Sequence, residues 1–179
     1  MPSLTPPRHT STLRVFNGWS DDNARDFGRA AGLIKRALAL RPEYSMLRVV
    51  NAQNLTWKNQ FRAALAEAET AIAYDRNNAL AYSDASEFKQ YLGRSEDSIA
   101  DIETALRLDP HSVAVAFRQG VLCRAYNLLG RWEQAIEWCD KSVATARDNP
   151  DAMRSASLAD LAAANAWAGH DKEAKDAVA

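Results

Sequence analysis

Four stretches of the chain superpose from a single turn position. "WKNQFRAALAEAETAIAYDR" (57–76), "YLGRSEDSIADIETALRLDP" (91–110), "LLGRWEQAIEWCDKSV" (128–143) and "WAGHDKEAKDAV" (167–178) share one template. Asn59, Gly93, Gly130 and Gly169 fall at its equivalent place, at spacings of 34, 37 and 39 residues. Pro42, Arg76 and Pro110 form a second landmark, each 34 residues after the last. A unit of this length cannot bury its apolar face alone and must stack on its neighbours.

Each period reads as helix, tight turn, helix. In "SEDSIADIETALRL" Ser98, Ile99, Ile102, Ala105, Leu106 and Leu108 recur at three- and four-residue steps and form one stripe, with Glu96, Asp97, Asp101 and Glu103 expected in water. Gly93 and Gly130 suit the left-handed end of the preceding helix, and Ser95 is placed to cap the next. The Asp109-Pro110 step stops the second helix, since proline disfavours helical geometry at the residue before it. Small residues at Ala52, Ser86, Cys123 and Ala162 in the first helices face Ala64, Ser98, Ala135 and Ala174 in the second. Helices joined by a short turn approach closely where both side chains are small.

These features resemble the tetratricopeptide repeat, a 34-residue helix pair with the pattern W-x2-L-G-x2-Y, A-x3-F and P. The first half aligns Tyr82, Ala85, Ser86 and Lys89 with Gln119, Leu122, Cys123 and Tyr126. The second half aligns Ala64/Ala68, Ser98/Ile102, Ala135/Cys139 and Ala174/Val178. The resemblance implies an all-α, right-handed superhelical solenoid of antiparallel helix pairs, with about eight to nine helices. It covers about residues 24 to 179, departing at Arg76 and Arg147, which stand for proline, and at two spacings that exceed 34 by three and five residues. The expected organisation is a flexible arm or partial first helix at 1–20 and one domain at 21–179. Within that domain a helix at 22–41 precedes pairs at 45–75, 79–109, 113–146 and 152–179. "DDNARDFGRAAGLIKRALALRPEYSMLRVVNAQ" and "SLADLAAANAWAGHDKEAKDAV" also resemble the repeat segment that follows bacterial class III adenylate or guanylate cyclase domains, or winged-helix regulators. That likeness implies a bacterial signalling module with a regulatory or interaction role, either part of such a polypeptide or detached from it.

Across 179 residues the formal charge is −1, so no global basic field seeks nucleic acid or an anionic membrane. No apolar run approaches the roughly 18 residues of a membrane span. "MPSLTPPRHT" lacks the apolar centre of a secretory signal, which leads to an expected cytoplasmic location with Cys123 and Cys139 reduced.

Residues that could carry chemistry are scattered. The two cysteines lie 16 residues apart, match no C-x-x-C pair, and read as small apolar residues in a tight helix contact. His9, His111 and His170 lie in the arm or at turns; His170 and Glu173 have i+3 spacing, but one such pair in a terminal turn makes a poor metal site. The acids at 21–22, 96–97 and 101/103 belong to solvent faces and first turns. No phosphate-cradling glycine loop and no G-x-S-x-G elbow occurs. The sequence therefore predicts no enzyme, no catalytic residue, no metal site and no cofactor.

The resemblance places Gln53, Thr56 and Trp57, then Ser83, Asp84, Glu87 and Tyr91, then Gly120, Arg124 and Asn127, and finally Asp160, Ala163 and Trp167 along a concave groove. The implied ligand is a protein, as a peptide or helix, bound chiefly by Gln53, Trp57, Asp84, Glu87, Tyr91, Arg124, Asn127 and Trp167. Val49, Gln53, Asp84 and Glu87 stand where capture of an acidic C-terminal tail would need basic or amide residues. A ligand of mixed charge suits Asp84, Glu87 and Arg124 better. Trp132 takes the place where the family packs an aromatic on the next repeat, and Trp138 is expected half-buried. An apolar edge in "DKEAKDAVA" leaves a homo-oligomer through the last repeat as a further expectation.

Overall fold

A computed structural model describes residues 23–146 and 152–178 of the chain. All regular elements there are α-helices: α1 Asn23–Leu40, α2 Ser45–Thr56, α3 Phe61–Tyr74, α4 Ala79–Tyr91 and α5 Ser95–Leu108. They continue with α6 Val115–Leu128, α7 Trp132–Thr145, α8 Ala152–Ala168 and α9 Asp171–Asp176. The arm expected at 1–20 lies outside the described residues. The chain forms two compact units, Met1–Asp75 and Arg76–Ala179.

Every turn within a helix pair is built alike. Asn59, Gly93, Gly130 and Gly169 have φ of 55°, 74°, 70° and 84°, a left-handed region open to glycine and tolerated by asparagine. The residue after each donates its N–H back five residues: Gln60 to Leu55 (3.1 Å), Arg94 to Lys89 (2.8 Å), Arg131 to Tyr126 (3.0 Å) and His170 to Asn165 (2.8 Å). This bond pattern satisfies carbonyls that the helix end would leave open and stops the first helix. Ser95 does not cap α5. The cap position is Arg94, with no side-chain cap bond, and Ser95 is already helical and buried, its carbonyl accepting from Ser98. In α4, by contrast, Asn78 caps through Oδ1, which accepts from Ala81 N at 3.1 Å.

In the first unit α2 and α3 pair through Ala52 and Ala64, both fully buried. Ser45 Oγ donates to Ala71 O at 3.0 Å, and Arg48 pairs with Glu67 at 3.0 Å.

In the second unit the same small-on-small contacts recur at Ser86/Ser98 and Cys123/Ala135, all fully buried. Ile102, Ala105, Val121, Leu122, Tyr126 and Ala135 make one core cluster, against which Ile99, Phe117 and Trp138 pack. Burial of a side chain the size of Ile102 or Leu122 contributes about 1.5–3 kcal/mol. The expected stripe on α5 faces this core, but Asp101 does not turn to water: it is largely buried in an ion pair with Lys89 at 2.5 Å.

Two polar contacts lock α6 in place. Arg118 is 3 % exposed, and its guanidinium donates to Ser83 Oγ (3.1 Å), Ala105 O (3.4 Å) and Asp109 O (2.9 Å). A cation there also sits well at the C-terminal end of α5. On the other side Ser142 Oγ lies 2.7 Å from both Ala116 O and Ser157 Oγ. A Cβ at Gly120 would come within 3.1 Å of Ser157 Oγ, so this glycine lets three helices close up.

Cys123 and Cys139 face one another across the α6–α7 pair, fully buried with Leu161 packed on them. The reduced state expected from the sequence is not what the structure contains: the two sulfurs form a disulfide. The small-residue contact brings the two Cα atoms to 5.1 Å, inside the range a disulfide spans.

Candidate protein-binding surface

The first helices of the second unit, α4, α6 and α8, carry a connected polar strip. Glu87 and Tyr91 are one turn apart on α4, and the Tyr91 hydroxyl donates to Glu87 Oε1 at 3.0 Å. Arg124, on α6, lies between two carboxylates, 3.6 Å from Glu87 and 3.6 Å from Asp160 on α8. Asn127, one turn along α6, donates to Asp160 O at 2.9 Å. The side chains of Arg124, Glu87 and Asp160 are 30 %, 21 % and 28 % exposed, so all three remain reachable from solvent.

Burial sets the electrostatics of the strip. Burial pushes the Asp160 carboxyl up, with Arg124 opposing. Burial also raises the Tyr91 phenol, helped by the charge and hydrogen bond of Glu87, which keeps its hydroxyl a donor. These groups carry charge of both signs and hydrogen-bonding capacity. Among the described residues no set of three His, Cys, Asp or Glu side chains could hold a metal ion.

The ends of the first helices add an apolar element. Trp57, Tyr91, Leu128 and Trp167 occupy one repeat position, two residues before each left-handed turn, and are 51 %, 51 %, 58 % and 72 % exposed. Leu128 escaped the sequence reading, although the repeat register alone points to it. Exposed aromatic and apolar side chains beside polar groups are the composition of interface anchors.

The remaining residues singled out from the sequence lie as follows. Asp84 is buried on α4, at 6 % exposure. Gln53 is half-buried on α2, and Trp57 directly follows that helix; both belong to the first unit. Ser83 is buried beneath Arg118, and Gly120 beneath Ser142 and Ser157, so neither is surface. Ala163 is exposed on α8. Trp167 stacks on Trp132, which begins α7. Trp138 is half-buried against the core, with Lys141 Nζ 4.0 Å from its ring centroid.

Comparison with known proteins agrees with this architecture. Residues 89–152 match the family model for the tetratricopeptide repeat. No curated protein sequence matches the chain. Among solved structures, PilW, described as a widely conserved type IV pilus biogenesis factor, is similar with a TM-score of 0.78 at 18 % identity, over 93 % of this chain and 74 % of that one. MamA from Desulfovibrio magneticus RS-1 gives 0.73 at 14 % identity, over 94 % and 86 %. BtubC from P. vanneervenii gives 0.75 at 18 % identity, over 94 % and 74 %. At such identities the likeness speaks for the fold alone. The tetratricopeptide repeat match is thus confined to residues 89–152, and the four left-handed turns at one repeat position show that the same helix–turn–helix unit recurs on either side of it.

Proposed function

We propose that the chain is a non-catalytic scaffold that binds a protein partner, as a peptide or short helix, across α4, α6 and α8. Glu87, Tyr91, Arg124, Asn127 and Asp160 make the polar contacts, and Leu128, exposed at the end of α6, supplies an apolar one. The observation that carries this reading is the position of Arg124, held 3.6 Å from each of two carboxylates on neighbouring first helices. At that separation neither pair is a tight hydrogen-bonded bridge, and a partially exposed guanidinium can exchange an internal carboxylate for one on a ligand. Groups of both signs on one strip favour a ligand of mixed charge and give specificity more than raw affinity.

Among the described residues no helix is long and apolar enough to cross a membrane. The Cys123–Cys139 disulfide does not favour the cytoplasmic setting expected from the sequence, because disulfides persist in oxidising compartments.

Peptide display on the wild-type chain supplies ligands for the test. Arg124→Glu and Glu87→Lys should each weaken the best ligand about tenfold, or about 1.4 kcal/mol. The paired swap Glu87→Lys/Arg124→Glu should restore part of the loss. Unchanged affinity in both single variants would sink this reading.

A further inference from the structure

A cleft of about 470 Å³ opens between α7, α8 and α9. Its floor is apolar, made by Ile136, Leu161 and Ala177, and its rim carries Asp140, Glu173 and Asp176. The volume falls within the roughly 300–1,000 Å³ typical of ligand sites. Among the described residues no basic side chain pairs with any of these three carboxylates. The cleft shares no residue with the Arg124 strip.

The preceding repeats show what this place ordinarily holds. In repeat register Asn165 and Ala177 correspond to Tyr126 and Trp138, and His170 corresponds to Arg131. Tyr126 is 7 % exposed and packs with Leu122, Ile99 and Trp138. Arg131 bonds Glu96 at 2.8 Å beside it. One repeat earlier the same two positions hold the Lys89–Asp101 ion pair. Both of these repeats therefore supply a large side chain and a cation from within the chain. The last repeat has neither, yet it keeps the acids: Asp140 and Asp176 stand where Glu103 and Glu137 do.

We infer that this cleft is a second docking site, which takes an arginine-bearing segment of a partner protein. The arginine stem lies on Ile136, Leu161 and Ala177, and its guanidinium enters among Asp140, Glu173 and Asp176. A planar fork with five donors serves several carboxylates at once, which favours arginine over lysine. Partial desolvation raises the Asp140 carboxyl, and a guanidinium placed beside it would favour its charged form.

The test is an NMR titration of the whole chain with acetyl-Trp-Arg-amide and, as a control of equal shape, acetyl-Trp-citrulline-amide. The arginine peptide should shift the amides of Ile136, Asp140, Leu161, Asn165 and Ala177 saturably, and the citrulline peptide should bind about tenfold more weakly. Asp140→Asn/Asp176→Asn should weaken the arginine peptide similarly while the helical circular dichroism is unchanged. Asn165→Tyr/Ala177→Trp restores the preceding repeat's side chains and should abolish binding while keeping or raising Tm. Equal binding of the two peptides, shifts confined to the Arg124 strip, or undiminished binding by the filled variant overturns the inference. Concentration-dependent shifts at the cleft without peptide would assign it to a second copy of the chain, and overturn it as well.

Discussion

Trp167 lies nearly parallel to Trp132, with ring centroids 5.8 Å apart and planes 16° apart. The stack joins the end of one first helix to the start of the preceding second helix, so it ties two successive repeats although Trp167 is 72 % exposed. An aromatic pair of this kind is worth about 0.5–1.5 kcal/mol. Trp167→Ala should destabilise the chain by about 1 kcal/mol and reduce its near-ultraviolet circular dichroism. A variant unchanged in both would mean that the stack contributes nothing.

Arg118 holds the carbonyls at the end of α5 and Ser83 on α4 from one buried guanidinium. Arg118→Met keeps most of the stem and removes every donor. The expected loss is about 2–3 kcal/mol in urea unfolding, since bonds to a charged donor contribute more than neutral ones. Arg118→Lys should recover only part of it, because an ammonium carries all its donors on one nitrogen and cannot span acceptors that Nε and Nη1 reach separately.

The Cys123–Cys139 disulfide closes a loop across 16 residues. On chain-entropy grounds a loop of that length stabilises by about 3 kcal/mol. Reducing agent, or Cys123→Ala/Cys139→Ala, should lower Tm, and the double variant should no longer respond to reductant. Without reductant neither cysteine should react with a thiol label, even after denaturation. Labelling of the unreduced chain in denaturant would contradict the disulfide.

Asp140 and Asp160 have carboxyls raised by burial. A folded state that raises an acid binds its proton more tightly than the unfolded chain does. Its contribution is therefore favourable at low pH and declines as pH rises through the carboxylate range. Glu173, Asp176 and His170 line the cleft with Asp140, while Arg124 faces Asp160 and partly offsets its burial. Asp140→Asn should remove the decline that Asp140 contributes, so the stability of the variant relative to wild type should rise with pH between about 4 and 7. Parallel curves for the two proteins would show that Asp140 does not contribute.

Much of the fold was legible because the turn position repeats. A residue forced to positive φ leaves a mark, and Asn59, Gly93, Gly130 and Gly169 bear it. Small residues facing one another across a pair were equally visible. The Ser95 cap failed because the turn leaves Arg94 at the cap and draws Ser95 into the packed helix. Arg118 carried no signal, since its role depends on carbonyls presented by another helix. Asp101 looked solvated by periodicity alone, but its partner Lys89 lies 12 residues away on the other helix of the pair. The cleft was hidden for a different reason. It arises from Asn165 and Ala177 as unremarkable small residues, which matter only against Tyr126 and Trp138.

The left-handed turns have a further consequence for how such a chain can vary. Each fixes the elbow between the two helices of a pair with the same backward bond, and an added residue would break that closure. The extra three and five residues of the longer periods fall near 111–115 and 146–154, between pairs. Length is thus conserved inside each bracket and variable in the links between brackets. A chain built this way can acquire a new reach by respacing intact brackets, leaving their hydrogen-bonded elbows untouched.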